Sequence, residues 1–325
     1  MTPHQEALAA QASEPQTEPQ NEPSAFAELG LDKTAIFDQE AVFNSISVAL
    51  TDNADARLVR QVTVTTLKDA QAAGRARIAE AFEQAPLASR ALVRAYAYLA
   101  DCIVETVFRV ATTFLHKNPN PTEGERLSVV AVGGYGRGEM APYSDVDLLF
   151  LMPWKVTPWA ESLIESMLYI LWDLHMKVGH SSRSIKDCVR LGKEDYTIRT
   201  ALLEHRFLVG DPAIAEQLAQ KLKQELFRGT ASDFIEAKLA ERAERHRKQG
   251  GQRYMVEPNV KEGKGGLRDL QTLFWIGKYI HGVDDAEDLI DLGLLNREEY
   301  ERFIAAETFL MAVRSHLHLA ANRAM

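Results

Sequence analysis

Hydrophobic positions divide the chain into helical stretches on either side of two short, uniformly apolar runs. From about residue 54 to residue 116 the apolar residues recur at helical spacing. Five of them share one helix face: Ala91, Leu92, Ala95, Leu99 and Ile103. The run Asn118-Pro119-Asn120-Pro121 interrupts this pattern and marks a boundary. The two apolar runs that follow, around Val130 and Leu149, predict buried strands.

The rest of the pattern predicts one more short strand and several further helices. Apolar residues from Leu163 to His175 fall at helical spacing and predict a helix that packs on the sheet. A strand is expected near Val178 to Ser184. Further helices are expected from about Asp195 to Phe227, Ala231 to Gln249, Leu267 to Ile280, and from near Asn296 through Met325. The fold class is therefore α+β, a small mixed sheet with helices on one side, flanked by helical segments.

Composition excludes several classes of protein. The net charge of -9 argues against a general nucleic-acid binder, which is usually basic. No stretch approaches the roughly 18 apolar residues of a membrane span, and no signal peptide is evident at the N-terminus. The two cysteines, Cys102 and Cys188, lack metal-ligand spacing and favour a cytoplasmic location. Residues 1–24 are rich in Gln, Glu, Pro, Ala and Thr, which predicts a disordered tail.

The candidate chemistry lies at the ends of the two apolar strands. Gly133-Gly134 follows the first strand, and Asp145 and Asp147 open the second. Aspartates two positions apart on a strand point to the same face, where their oxygens can hold Mg²⁺. Glycine turns leave backbone N–H groups free to meet a phosphate. Together these features predict a site for a nucleoside triphosphate and its metal.

Two neighbouring side chains extend this prediction. Arg137 follows the glycines and can pair with a phosphate oxygen, or be an ordinary surface arginine. Ser144 precedes the first aspartate and can donate to a phosphate or cap the turn. A solitary Asp-x-Asp is commonly solvated, and a solitary Gly-Gly is commonly a turn. An uncompensated carboxylate pair at the start of a buried strand is costly, which favours the catalytic interpretation here.

Two groups of motifs resemble known families. Gly133-Gly134 with Asp145 and Asp147 resembles the DNA polymerase β-like nucleotidyltransferases. The segment from Val256 to Gln271 resembles the signature of the bacterial PII uridylyltransferases, as does Val178-Gly179-His180-Ser181-Ser182-Arg183. The resemblance extends from about Leu127 to Met325. It implies a polymerase β-like core with Asp145 and Asp147 as catalytic Mg²⁺ ligands.

The resemblance also implies a reaction. UMP would pass from UTP to a tyrosine of the PII nitrogen-regulatory protein, with release of pyrophosphate. In that family an HD domain removes UMP and ACT domains sense glutamine; none of the nine histidines here precedes an aspartate. We therefore expect the transferase portion of a longer protein. A nucleotide-binding signalling module without catalysis and a protein adenylyltransferase are the alternatives.

These expectations divide the chain into four parts. The disordered tail is followed by a helical segment over residues 25–120. The nucleotidyltransferase core then covers 121–230, and a helical domain, truncated at its end, covers 231–325. No partner other than the nucleotide and PII is expected, neither nucleic acid nor membrane.

The third metal ligand of the resembled superfamily is not evident. Asp195 and Glu204 are possible substitutes for that carboxylate. His180 can be a ligand, a base or a core histidine, and the last is favoured. Arg183 can reach the triphosphate or form a salt bridge across the sheet.

The glycine-rich segment from Glu257 to Asp269 combines backbone freedom with positive charge. Lys261, Lys264 and Arg268 lie on a loop that leads into a helix, which suits phosphate binding. A rigid hinge is the structural alternative. Lys261 and Arg268 are the preferred nucleotide contacts. The basic run of Arg242, Arg245, His246, Arg247 and Lys248 predicts a solvated helix face, with docking of PII as the less favoured alternative.

Overall fold

The computed structural model of the protein describes residues 26–50, 54–118, 122–248 and 259–324. The predicted tail over residues 1–24 and the first part of the Glu257 segment lie outside these ranges. The helices before the sheet and at its first turn are α1 (Lys33–Ile36), α2 (Gln39–Ala49), α3 (Ala56–Gln84), α4 (Ser89–Val110) and α5 (Gly133–Gly136). The later helices are α6 (Pro158–Asp173), α7 (Ile185–Glu194), α8 (Tyr196–Leu203), α9 (Pro212–Lys221), α10 (Ala231–Lys248), α11 (Leu267–His281), α12 (Asp288–Asp291) and α13 (Arg297–Ala321).

Four strands form one mixed sheet in the order β3-β2-β1-β4. Their bounds are Ser128–Ala131 for β1, Val146–Met152 for β2, Val178–Ser184 for β3 and Arg206–Gly210 for β4. β1 pairs antiparallel with β2 and β4, and β2 pairs parallel with β3. The predicted strands around Val130, around Leu149 and over Val178–Ser184 are confirmed, and so is the α+β class.

Helices cover both faces of the sheet. Alternate residues of β2, namely Leu148, Phe150 and Met152, join the large core that includes α4 and α6. The intervening Leu149 and Leu151 join a second core that includes α7 and α9. The expectation of helices on one side was therefore wrong. A strand that is apolar at every position, rather than at alternate positions, is typical of burial on both faces.

Three other features differ from the sequence-based expectations. β4 and α7 were not predicted, because the short Arg206–Gly210 run was assigned to a helical region and the charged residues 185–194 were assigned to no element. The last helix ends at Ala321, where Asn322 adopts a left-handed conformation with φ 52°. Asn is one of the residues that tolerate this helix-ending geometry. The helix thus does not continue to residue 324, and Met325 lies outside the described residues.

In the part of the chain that the structure describes, no helix has both the length and the apolar character needed to cross a bilayer. The two longest helices, α3 and α13, both begin at polar capping residues. The Asp55 side chain accepts from the Leu58 N–H at the start of α3, and Asn296 and Glu299 form a reciprocal capping box at the start of α13.

Candidate active site

A cleft of about 530 Å³ opens between the sheet and the helices that follow it. Its walls come from the turn after β1, the start of β2, helices α8, α10, α11 and α13, and the loop before α11. Eight of the nine predicted site residues line this cleft: Gly133, Gly134, Arg137, Ser144, Asp145, Asp147, Lys261 and Arg268. The structure therefore brings together two groups that are more than a hundred positions apart in the sequence.

Asp147 enters the cleft from β2, on the sheet face that also carries Leu149 and Leu151. Asp145 lies just before the strand and is exposed. Gly179 of β3 is the direct neighbour of Asp147 across the sheet. A Cβ atom at Gly179 would lie 2.4 Å from Asp147 Oδ1, so the glycine leaves the space that the carboxylate occupies.

The environment of the two aspartates suits a divalent cation. Burial raises the pKa of Asp147, the negative charge of Asp145 raises it further, and Lys261 opposes both effects. Among the described residues no cluster of three or more His, Cys, Asp or Glu side chains offers a complete metal site. Mg²⁺ commonly takes one or two protein carboxylates together with phosphate oxygens. The donor set therefore fits Mg²⁺ that arrives with a phosphate ligand.

The glycine turn folds as the four-residue helix α5. Gly133 begins this helix with φ 61°, a backbone conformation that residues other than glycine rarely adopt. The N–H groups of Gly133 and Gly134 are the first of this helix, so they have no intrahelical acceptor. A Cβ atom at Gly136 would lie only 1.7 Å from the carbonyl oxygen of Glu204, so α5 packs directly on the end of α8.

Arg206 of β4 holds this turn against helix α4. Its Nε donates to the Gly136 carbonyl at 3.2 Å, and its Nη2 donates to the Tyr135 carbonyl at 3.1 Å. The guanidinium also pairs with both carboxylate oxygens of Asp101, at 2.8 and 3.0 Å. The backbone of the turn is therefore fixed by a bidentate ion pair that lies outside the predicted motif.

Arg137 lies in the cleft wall but its charge is already compensated. Its Nη1 donates to Glu204 at 2.5 and 2.6 Å, and its Nε donates to Glu139 at 2.9 Å. Burial disfavours the charged guanidinium, yet Glu204 and Glu139 together raise the pKa of Arg137 above its usual value. Arg137 is thus no surface arginine, since only 13% of its side chain is exposed.

Neither proposed substitute for the third carboxylate is free to act as one. Both Glu204 oxygens accept from Arg137, and Oε1 also accepts from Trp275 Nε1 at 2.5 Å. Asp195 caps helix α8 by accepting from the N–H groups of Thr197 and Ile198. It is absent from the cleft lining.

Two residues of β3 are also placed away from the cleft. His180 pairs with Leu148 and therefore faces away from Asp147; it is exposed and lies 6.1 Å from the Trp172 ring. The interpretation as a core histidine was wrong. Arg183 is paired with Leu151, four residues beyond the Asp147–Gly179 pair. At the usual rise of a strand this is about 13 Å along the sheet, and Arg183 does not line the cleft.

The loop before α11 supplies positive charge opposite the aspartates. The Asn259 side chain accepts from the N–H groups of Lys261 and Glu262 at 3.0 and 2.7 Å, which fixes the start of the loop. Arg268 donates to Glu262 at 3.3 Å and lies 5.2 Å from the centre of the Trp275 ring. Burial, then the neighbouring arginine charges, lower the pKa of Lys261.

The basic run of α10 is engaged rather than fully solvated. Arg242, Arg245 and His246 all contact the carboxylate of Asp269 on α11. The prediction of a solvated face was therefore wrong for Arg245 and His246, whose side chains are 10% and 15% exposed. It is confirmed for Arg247 and Lys248, which are 75% and 69% exposed.

Three residues of the cleft had no counterpart in the sequence analysis. Lys238, Trp275 and Arg314 line it from helices α10, α11 and α13. Lys238 pairs with Glu241 at 2.5 Å and lies 5.1 Å from the Trp275 ring. Lys238 is one of many charged residues in α10, so the sequence does not mark it as a cleft residue. No regular spacing along the chain links these three positions either.

Two family descriptions match parts of the chain. The description "Nucleotidyltransferase domain" matches residues 114–208, which include the glycine turn and both aspartates. The description "GlnD PII-uridylyltransferase" matches residues 233–325, which include Lys261, Arg268 and Arg314. The cleft is thus lined by residues of both matched regions.

Three curated relatives that the chain resembles are named bifunctional uridylyltransferase/uridylyl-removing enzyme. The relative from Ruegeria pomeroyi is 61% identical over 89% of this chain. Those from Cereibacter sphaeroides and Novosphingobium aromaticivorans are 58% and 48% identical over 92% and 89% of it. The chain spans about a third of the length of these relatives, 32% in each case. Over most of its own length the chain is therefore similar to bifunctional uridylyltransferase/uridylyl-removing enzymes.

Proposed function

We propose that the chain transfers UMP from UTP to a tyrosine hydroxyl of the PII regulatory protein and releases pyrophosphate. One observation carries the proposal: Asp145 and Asp147 face Lys261 and Arg268 across a single cleft. A ligand that fills it must offer a metal to one wall and anionic groups to the other. A metal-bound nucleoside triphosphate has this charge pattern. The choice of UTP and PII rests on the family.

The proposed step replaces one phosphorus–oxygen bond by another. The tyrosine oxygen bonds to the α-phosphorus, the bond from that phosphorus to the oxygen bridging to the β-phosphate breaks, and the electron pair leaves with pyrophosphate. The hydroxyl proton passes to water in the cleft. Asp145 and Asp147 would hold Mg²⁺, which neutralises phosphate charge and lowers the pKa of the attacking hydroxyl when it is bound.

The other cleft residues bind and orient the nucleotide. Lys261 and Arg268 contact phosphate oxygens as charged donors. The Gly133 and Gly134 N–H groups and the Ser144 hydroxyl add neutral donors on the opposite side. Arg137 keeps Glu204 neutralised and shapes the wall. We also place this reaction in the cytoplasm, which is supported by two buried thiols, Cys102 and Cys188.

The test is transfer of label from α-labelled UTP to purified PII of Ruegeria pomeroyi, with Mg²⁺ and with ATP and CTP in parallel. Labelling from UTP alone is the expected result. Labelling from ATP alone would instead indicate a protein adenylyltransferase. Nucleotide binding without labelling of PII would indicate a signalling module.

The site assignment is tested by Asp145→Asn combined with Asp147→Asn. We expect transfer to fall at least about a hundredfold, because the metal loses both carboxylate ligands. Folding should be retained, since the change also removes the repulsion between two nearby carboxylates. The control is Asp284→Asn, at a side chain that is 95% exposed. Equal transfer rates for the double variant and the control would contradict the assignment.

A further inference from the structure

Arg314 of helix α13 lines the cleft, and its guanidinium has no hydrogen-bonding partner among the residues that the structure describes. Its Nε atom is buried and makes no hydrogen bond within the described part of the chain. The residue lines the same cleft as the aspartates. A buried donor that is left unpaired costs free energy, and burial together with the nearby Arg268 lowers the pKa of this guanidinium. A ligand with anionic oxygens would supply the missing acceptor.

The charges around Arg314 are unbalanced toward the positive. Arg137 has its own carboxylate partners in Glu139 and Glu204, and Lys238 pairs with Glu241. In contrast, Lys261 and Arg268 share one carboxylate, that of Glu262, at 3.9 and 3.3 Å. Arg314 adds a third positive charge near the same Glu262. The loop and α13 thus present three cations beside a single carboxylate of their own, and the negative charge of Asp145 faces Lys261 and Arg314 across the cleft.

The position of Arg314 is fixed from outside the cleft. The Ser89 hydroxyl donates to the Thr308 carbonyl of α13 at 2.7 Å. Two residues beyond Arg314, His316 stacks on Phe82 at 4.6 Å between ring centres and approaches the Pro86 carbonyl at 3.1 Å. Helix α13 is thus held against α3 and α4 on both sides of Arg314, so its guanidinium is held at the cleft in advance of any ligand.

We propose that Arg314 is a further phosphate-binding residue, which completes with Lys261 and Arg268 a three-cation wall for the polyphosphate of the nucleotide. The inference rests on the proposed function, because it assigns a role within the same site. Phosphate oxygens would accept from the unpaired Nε and from the rest of the guanidinium fork, which suits them geometrically. The wall would then hold the leaving pyrophosphate away from the attacking hydroxyl.

The test measures binding of inorganic tripolyphosphate, with EDTA present, by isothermal titration calorimetry on the whole chain. Tripolyphosphate isolates the cationic wall, because it has no base and the chelator removes the metal. We expect Arg314→Gln to weaken binding about tenfold to a hundredfold, the range for losing hydrogen bonds to a charged group. Arg314→Lys should fall between this variant and wild type, since it keeps the charge but loses the fork.

The matched control is Arg302→Gln on the same helix, at a side chain that is 76% exposed and pairs with Glu298. Its affinity for tripolyphosphate should stay within about twofold of wild type at fixed ionic strength. Equal affinities of the Arg314→Gln and Arg302→Gln variants would overturn the proposal.

Thermal unfolding of the free protein separates binding from a structural role. The Arg314→Gln protein should melt at or above the wild-type temperature, because a buried charge without a hydrogen-bonding partner is removed. A clear fall in melting temperature alongside the weaker binding would overturn the proposal in favour of a structural role. Transfer of UMP to PII by wild type is measured separately. Arg314-dependent binding without transfer would reject the proposed function and retain the phosphate wall.

Discussion

At the residue scale, the position of the Asp147 carboxylate depends on the absence of a side chain at Gly179. We expect Gly179→Ala to displace that carboxylate, because the new Cβ would lie 2.4 Å from Oδ1 and real Cβ contacts are essentially never shorter than 3.0 Å. The affinity for Mn²⁺ in the presence of nucleotide, followed by electron paramagnetic resonance, should fall about tenfold or more. The sheet should persist, since alanine is tolerated in a strand.

The control for this change is Gly124→Ala, where the nearest atom to a new Cβ would be 3.7 Å away, an ordinary contact. It should leave the Mn²⁺ affinity unchanged. Unchanged Mn²⁺ affinity in the Gly179→Ala protein would mean that Asp147 can move without loss, and would weaken its role as a metal ligand.

The sequence identified the acidic side of the cleft and part of its basic side. Asp145 and Asp147 could be identified because they are two carboxylates, two positions apart, at the start of an apolar run. The role of Gly179 could not be predicted, because its contact with Asp147 depends on the pairing register of β2 and β3, which the sequence does not specify. Arg314 was missed for a similar reason. Its role depends on which charges surround it, and those come from residues far away along the chain.

At the element scale, the close packing of α5 on α8 means that two glycines of the same turn should respond differently to substitution. Gly136→Ala should destabilise the protein by about 3 kcal/mol or more, because the Cβ would lie 1.7 Å from the Glu204 backbone oxygen and the elements must separate. Gly134→Ala should fold normally, since its nearest contact would be 3.5 Å. Urea unfolding at pH 7 measures both changes.

The pair therefore tests packing against function. Gly134→Ala is expected to keep the wild-type free energy of unfolding within about 1 kcal/mol and to weaken nucleotide binding, because its Cβ limits approach to the backbone. Equal stability of the two variants would show that α5 is free to shift away from α8.

The strands that were predicted correctly are those with continuous apolar runs or a recognisable motif. β4 has neither: it is five residues long, and Phe207 is 37% exposed while Leu208 is 8% exposed. It pairs with β1 at the edge of the sheet, with a register irregularity between Val129 and Val130. Such a short edge strand is defined by its pairing partner, so its own sequence carries little signal.

At the scale of the whole molecule, the cleft is a joint product of three sequence regions. The carboxylates lie at the start of β2, and the cations come from the segments that follow the sheet in the sequence. The helices that precede the sheet hold α13, the last of these cation-bearing segments, in place. Asp101 of α4 holds Arg206 and thus the glycine turn, while Ser89 of the same helix holds α13. The sequence predicted each region as a separate unit, yet one large hydrophobic core includes both the N-terminal helices and the sheet.

The contact between α13 and the active-site turn also contains an unusual acid. Burial, followed by the negative charge of Glu139, raises the pKa of Glu307 to about 7, although Arg90 and Arg137 oppose the shift. In the unfolded chain this carboxyl should have its ordinary pKa of 4.5. Folding therefore takes up a proton between these two values, and the free energy of unfolding falls as pH rises from about 4.5 through about 7.

We expect this group to remove about 2 kcal/mol of stability between pH 5 and pH 8, after discounting for partial exposure. Other groups titrate in the same range, so the quantity to measure is the difference between wild type and Glu307→Gln in urea unfolding at each pH. That difference should shift in favour of the glutamine variant as pH rises. Glu298→Gln, at a 73% exposed side chain on the same helix, should show no such trend. If the difference in free energy of unfolding between the two proteins is constant from pH 5 to pH 8, Glu307 is already ionised in the folded protein at pH 5. The packing of α13 near the active-site turn would then not raise the pKa of this carboxyl.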